Sequence, residues 1–336
     1  MWLRRPAADW SLDIFQTSDH AFRAPSSSLR RKPYETTLST TSSAEPGRLG
    51  HPGIRIESRL GFAKRPAMPP FVLGLNASTI RGTPVLRQIE VAAQAGFQAI
   101  ELWFADIDAH LAAGGSLLEI RSALDDSGLQ VPTVIYIGDW FDCPDSQWPT
   151  VRDHCVRRLA QAAILGAPHV IAGPPANAAD LNLGTRRYRE LLDLGAHEGC
   201  LPSFEFLGFV QRYCTIESAL EVLEQAGDPR GTTILDPFHI FRGGGSFESI
   251  SKLSPRQVAV SHFNDAPSTP PREQQHDADR VWPGQGHLDL ARYIHLLEQS
   301  GYKGCLSLEL FRKDLWNRDP FEVAQTGMLH LRSVLG

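Results

Sequence analysis

The chain has 336 residues, 42% apolar and 21% charged, proportions that argue against wholesale disorder and a length that suits one large α/β domain with an appendage. Its formal net charge of -5 argues against a surface built to hold nucleic acid nonspecifically, and no run of 18 uninterrupted apolar residues occurs that would form a membrane-spanning helix. The cysteines Cys143, Cys155, Cys200, Cys214 and Cys305 include no C-x-x-C pair, so neither a disulfide framework nor a thiolate zinc site is expected, and a reducing cytoplasmic setting is.

Residues 1–70 carry 11 Lys and Arg against 6 Asp and Glu, leaving 22 against 32 for the rest. This first segment holds 14 Ser and Thr, scattered prolines and no sustained period of 2 or 3.6, so it reads as a disordered N-terminal extension. Asp9, Asp13 and Asp19, and the lack of a compact apolar region, argue against a secretory signal. Met68, directly before the first strand pattern, is an alternative initiator.

From residue 71 to 336, strands alternate with helices. Phe71–Asn76 is the first expected strand, followed by a helix within Thr83–Gly96 that puts Val85, Ile89, Ala92 and Ala93 on one face. Strand two is Ala99–Trp103 with a helix around Leu117–Ser127; strand three is Val131–Ile137 with a helix from about Thr150 to Leu165; strand four is His169–Ala172 with a helix around Arg186–His197. Strands five to eight are Ser203–Leu207, Thr232–Leu235, Val258–His262 and Leu306–Leu310, with helices at about Ile216–Ala226, Phe247–Leu253, Leu288–Ser300 and Pro320–Val334. Asp319-Pro320 reads as an N-cap and first-turn proline, and Ala95-Gly96 and Ser300-Gly301 as helix ends. Such alternation calls for a parallel sheet, and eight units close it into a (β/α)8 TIM barrel.

In a barrel of this kind the chemistry sits at the C-terminal strand ends and the loops after them. Four residues stand there in apolar strands: Glu205 in SFEFLG, Asp236 in TILDPFH, His262 in AVSHFND and Glu309 in LSLELF. Unpaired, each charge would be costly; one shared divalent cation satisfies all four. Three carboxylates and an imidazole suit Mn2+, Mg2+, Co2+ or Zn2+, with positions left for substrate oxygens. Salt-bridged barrel lining is the competing account for any one of them taken singly.

With Glu205 these motifs form an ordered set: the D-x-x-H of Asp236 to His239, the H-x-x-D of His262 to Asp265, the R-x-x-P-G-x-G of Arg280 to Gly286, and Glu309 followed by Leu315-Trp316 and Asp319-Pro320. In this order the set resembles the xylose isomerase-like TIM barrel superfamily of sugar phosphate isomerases and epimerases, over about residues 71–336. The resemblance implies that Glu205, Asp236, His262 and Glu309 bind one divalent metal, that His239 touches a substrate oxygen and that Arg280 holds a substrate hydroxyl. The expected function is metal-dependent isomerisation or epimerisation of a ketose or keto-polyol, with Glu205 and Glu309 moving the proton beside the carbonyl and a metal stabilising the enediolate. Dehydration of 3-dehydroshikimate or an inosose is the alternative, since it differs only in whether a β-hydroxyl leaves.

Around this set, Asp265 is expected either to orient His262 through its other ring nitrogen or to serve as a turn residue. Glu101 and Trp103, at the end of strand two, are candidate substrate contacts. Trp140, Trp148, Trp282 and Trp316 are expected in loops near the mouth, with packing as the competing role. His110, His154, His169, His197, His287, His295 and His330 read as surface or packed residues. Gly243-Gly244-Gly245 lacks the lysine of a phosphate loop and reads as a turn. An apurinic endonuclease-like hydrolase needs further histidines that Glu101, Trp103, Tyr136 to Asp139 and Val281 do not supply, and a non-catalytic metal-binding barrel is the remaining rival. The partner is thus a small sugar or keto-polyol, with no nucleic acid and no membrane, and a homo-oligomer is left open.

Overall fold

Eight parallel strands, paired in chain order and closed between the first and the last, form the frame of the molecule in a computed structural model that describes residues 71–336. The strands are β1 (Val72–Asn76), β2 (Ala99–Trp103), β3 (Thr133–Ile137), β4 (His169–Ala172), β5 (Leu201–Phe204), β6 (Thr232–Leu235), β7 (Val258–Phe263) and β8 (Cys305–Leu308). Closure is direct, with Val72 opposite Cys305 and Leu75 opposite Leu308. The helices are α1 (Val85–Gln94), α2 (Phe104–Ala112), α3 (Leu117–Ser127), α4 (Trp148–Ile164), α5 (Leu181–Glu198), α6 (Ile216–Ala226), α7 (Pro237–Arg242), α8 (Leu290–Ser300), α9 (Lys313–Trp316) and α10 (Pro320–Leu335). The expectations about residues 1–70, an extension and a start at Met68, lie outside the described residues.

Local chemistry explains the element ends. Ser116 and Glu119 form a capping box on α3, which stops at Gly128 in the left-handed conformation. Asp319 caps α10 with Pro320 in its first turn, as expected. Because side chains alternate across a strand, two layers separate. Ile135, Ile171, Ile234, Val260, Cys305 and Ala99 form a small cluster of their own inside the barrel, while the much larger core lies between strands and helices. Gly74 on β1 belongs to the tight interior: a Cβ there would stand 2.5 Å from Cys305 Sγ.

Besides shifts of a few residues at element ends, such as β5 at Leu201–Phe204 in place of Ser203–Leu207, and the short unexpected α9, three departures bear on the site and the path to it. α2 follows β2 with no intervening turn, Trp103 serving as both the last strand residue and the N-cap, so no breaker marks it in the sequence. The six-residue α7 was not expected; it places His239 on a helix rather than on a loop. Phe247–Lys252 is a 3-10 helix, not an α-helix. Among the described residues no helix is long and apolar enough to cross a membrane, and all five cysteines are free.

Candidate metal centre

Two residues beyond the inward-facing positions Ser203, Ile234, Val260 and Ser307 come Glu205, Asp236, His262 and Glu309, so strand periodicity aims all four into the mouth. All four are buried. His262 Nδ1 stands 3.0 Å from Glu309 Oε2, 3.3 Å from Glu205 Oε1 and 3.7 Å from Asp236 Oδ2, and it makes no hydrogen bond. Ligand atoms of Asp236, His262 and Glu309 all lie within 4.8 Å of one another; Glu205 reaches the imidazole but does not complete the same group. A buried ring nitrogen with no hydrogen bond, faced by three carboxylates, is an environment that a divalent cation satisfies, so the donor set fits such an ion.

The imidazole is aimed from behind. His262 Nε2 lies 3.4 Å from Glu101, a fully buried carboxylate that accepts from Thr133 Oγ1 and, at 3.2 Å, from Asn76 Nδ2. The same Asn76 amide donates to Glu309 Oε1 at 2.9 Å, and its Oδ1 accepts from Trp103 Nε1 at 2.9 Å and from the Ser78 N–H at 3.0 Å. Every polar site of that amide is used. Asn76 was missed in the sequence, although its place at the end of β1 follows the rule that located the other four. Glu101, expected to touch substrate, instead backs His262. Asp265, expected there as one alternative, turns away: it accepts from the N–H groups of Ala266, Gly284, Gly286 and Leu288 at 2.8–3.1 Å, the turn role that was its other reading.

Asp236 divides its two oxygens. Oδ1 caps α7, accepting from the Phe238 and His239 N–H groups at 2.7 and 3.2 Å, while Oδ2 faces His262 and lies 3.2 Å from Arg280 Nη1. Arg280, itself buried, also donates to Glu309 and to Asp277 Oδ1 at 2.7 Å, and its Nη2 lies 2.9 Å from His239 Nε2. Its guanidinium rests 5.0 Å from the Phe238 ring and 5.2 Å from that of Phe311. The structure thus brings Arg280 and His239 to the four strand-end residues.

The charges follow from this packing. Burial pushes the Glu205 carboxyl up to about 7, with the His262 imidazole pulling the other way. Burial would hold His262 neutral, yet the Glu309 and Glu101 carboxylates outweigh it and raise its pKa well above the ordinary value. His239 is driven down to about 4 by burial, so it is neutral at pH 7. Asp236 is held below the usual carboxylate range despite burial, chiefly by Arg280.

Of the tryptophans, Trp103 stands half-buried, edge-on to Phe311 with centroids 5.7 Å apart. Trp316 donates to the Ser78 carbonyl at 2.8 Å. Trp140 is buried among Phe141, Tyr188 and Phe204 and serves packing; Trp148 opens α4 and Trp282 stacks on His330.

Comparison with known proteins bears on the fold and the family. Inosose isomerase of Bacillus subtilis (strain 168) is 31% identical over 140 residues, 41% of this chain and 49% of that protein. 3-Dehydroshikimate dehydratase of Pseudomonas aeruginosa is 27% identical over 249 residues, 71% of this chain and 37% of that one. The chain therefore spans half or less of the length of these curated relatives. Among solved structures, the IOLI protein with a binding zinc atom superposes with a TM-score of 0.73 at 21% identity, over 79% of this chain and 98% of that one, a likeness of fold. A family model matches residues 89–334, and the chain belongs to the xylose isomerase-like TIM barrel family.

Proposed function

We propose that the barrel is a divalent-metal-dependent isomerase or epimerase that moves a proton at the carbon beside the carbonyl of a keto-sugar or keto-polyol. The observation that carries this reading is the meeting of a cation-fitting trio, Asp236, His262 and Glu309, with a further buried carboxyl, Glu205, whose Oε1 stands 3.3 Å from the His262 imidazole, close enough to such an ion to act as the general base at the same carbon. An ion held by the trio, with Glu205 at its edge, would place positive charge beside the carbonyl oxygen. Glu205 removes the proton from one side, and Glu309, reaching in from β8, is the carboxylate on the other. Arg280 keeps Glu309 in place and adds positive charge near the oxygen that becomes negative, while His239, engaged through both ring nitrogens by Arg280 and the Gly208 N–H, holds that guanidinium in position. Inosose isomerase among the relatives supports the substrate class.

Turnover of a ketose or inosose in D2O tests the reading. Deuterium is expected at the carbon beside the carbonyl, and Glu205→Gln should slow turnover by ~10² or more, the range for loss of a general base. Product formed without solvent deuterium contradicts it. A second reading, dehydration, is favoured by the longer reach of the dehydratase match, 71% of the chain against 41%; a product lighter by one water would establish it.

A further inference from the structure

One charge at the barrel mouth has no role in the proton transfer. Arg81 follows the 3-10 turn after β1, and its guanidinium lies 5.7 Å from the ring centroid of Trp103 and 5.6 Å from that of Trp316. Among the described residues its side chain makes no hydrogen bond and no ion pair. Asp106, which accepts from Gln88 at 3.0 Å, feels the Arg81 charge but forms no ion pair with it. The two indoles hold the cation while its N–H edge has no acceptor, which suits a pair of anionic oxygens.

The position is tied to the metal centre by two routes. Trp103 Nε1 bonds Asn76, which bonds Glu309. The Trp103 ring meets Phe311, whose ring in turn carries the Arg280 guanidinium at 5.2 Å. Arg280 and Arg81 therefore stand at two ends of one aromatic wall, the first at the candidate ligands and the second out along the rim.

We propose that Arg81 is a specificity residue that binds an anionic oxygen group, carboxylate or phosphate, at the end of the substrate remote from the reacting carbonyl. It rests on the reading above only for where that carbonyl lies. The site would then select a keto acid or a ketose phosphate over a neutral keto-polyol, and so separates the substrates named by the two relatives: dehydroshikimate carries a carboxylate and inosose carries no charge.

Calorimetric titration of the zinc-loaded full chain with 3-dehydroshikimate, fructose 6-phosphate and inosose tests this. Wild type should prefer one of the two anionic probes, and which one distinguishes carboxylate from phosphate. Arg81→Gln should lose about 10- to 100-fold in affinity for that probe, the range for a charged hydrogen-bond partner, and far less for inosose; Arg81→Lys should recover part of the loss. Circular dichroism and zinc content check that both variants fold, and Lys alone serves if Gln does not, through a weaker and more salt-sensitive anion affinity. Wild-type preference for inosose, equal losses for all three probes, or no loss for either anion overturns the proposal. Solvent deuterium exchange without any anion preference would leave the proton-transfer reading standing and remove this one; anion preference without exchange does the reverse.

Discussion

The Asp236 carboxylate carries a structural and a chemical task on separate oxygens, and substitution can part them. Asn264 Nδ2 donates to both oxygens at 3.2 Å, which fixes the plane of the group. Asp236→Asn keeps an oxygen that can cap α7 but removes the negative charge facing His262; Asp236→Ala removes both. Elemental analysis should find metal lost in both variants, whereas calorimetry should find the Ala variant less stable by about 1 kcal/mol more, the usual worth of an N-cap. Normal metal content in either would remove Asp236 from the ligand set. Glu101 acts one step further out. With its carboxylate behind His262 Nε2, Glu101→Gln should weaken metal affinity about 10- to 100-fold, the range for loss of a carboxylate that orients a ligating histidine, and the substrate KM at saturating metal should change little. A change confined to KM would return Glu101 to the substrate-contact role expected from sequence.

At the scale of elements, the segment between β7 and α8 delivers Arg280 to the site, and Asp265 is what holds it. Its four backbone acceptor contacts gather Ala266, Gly284, Gly286 and Leu288 around one carboxylate. Gly286 is required there, because a Cβ would stand 2.2 Å from Asp265 Oδ1. Asp265→Ala leaves four N–H groups short of their shared charged acceptor, a loss that water reaching the loop partly makes good. The melting temperature should fall by several degrees and KM should rise as Arg280 loses its support, while metal content stays near wild type; loss of metal would mean that Asp265 acts on His262 after all. The same segment shows why some of the site was hidden in the sequence. His262, Asp236 and Glu309 were legible because each breaks an apolar strand with a polar residue at its C-terminal end. The spacing from His262 to Asp265 suggested proximity, but the chain turns between them, and which carboxylate faces Nε2 depends on β2 lying across the barrel from β7. α2 and α7 were hidden for a local reason: one starts directly after the last strand residue, which serves as its N-cap, and the other is six residues long.

For the whole molecule, the barrel was legible because eight short apolar runs each come with a helical stretch, and register then decides which residues face inward. The strand starts, remote from the chemistry, carry their own titration. His169 opens β4, its Nδ1 is buried without a hydrogen bond, and burial lowers its pKa to about 4. An unfolded histidine titrates at about 6.5, so between these values the unfolded chain binds more protons than the folded one. Stability is therefore full above about 6.5 and falls as pH drops through that window towards 4. His239, also lowered to about 4, adds a loss of the same sign. Carboxylates such as Glu217, held down to about 2 by Lys252 and Ser249 against the effect of burial, lose their contribution only at lower pH, below their ordinary range of about 4.3. Glu205, raised to about 7, works with the opposite sign over the upper window, so the His169 contribution is read from the difference between wild type and a variant. His169→Gln should flatten the decline between pH 7 and pH 5 relative to wild type, since Gln has no proton to take up, and should leave the decline below pH 4 in place. Parallel profiles for the two proteins over the upper window would show that His169 is reached by water and titrates normally in the folded barrel.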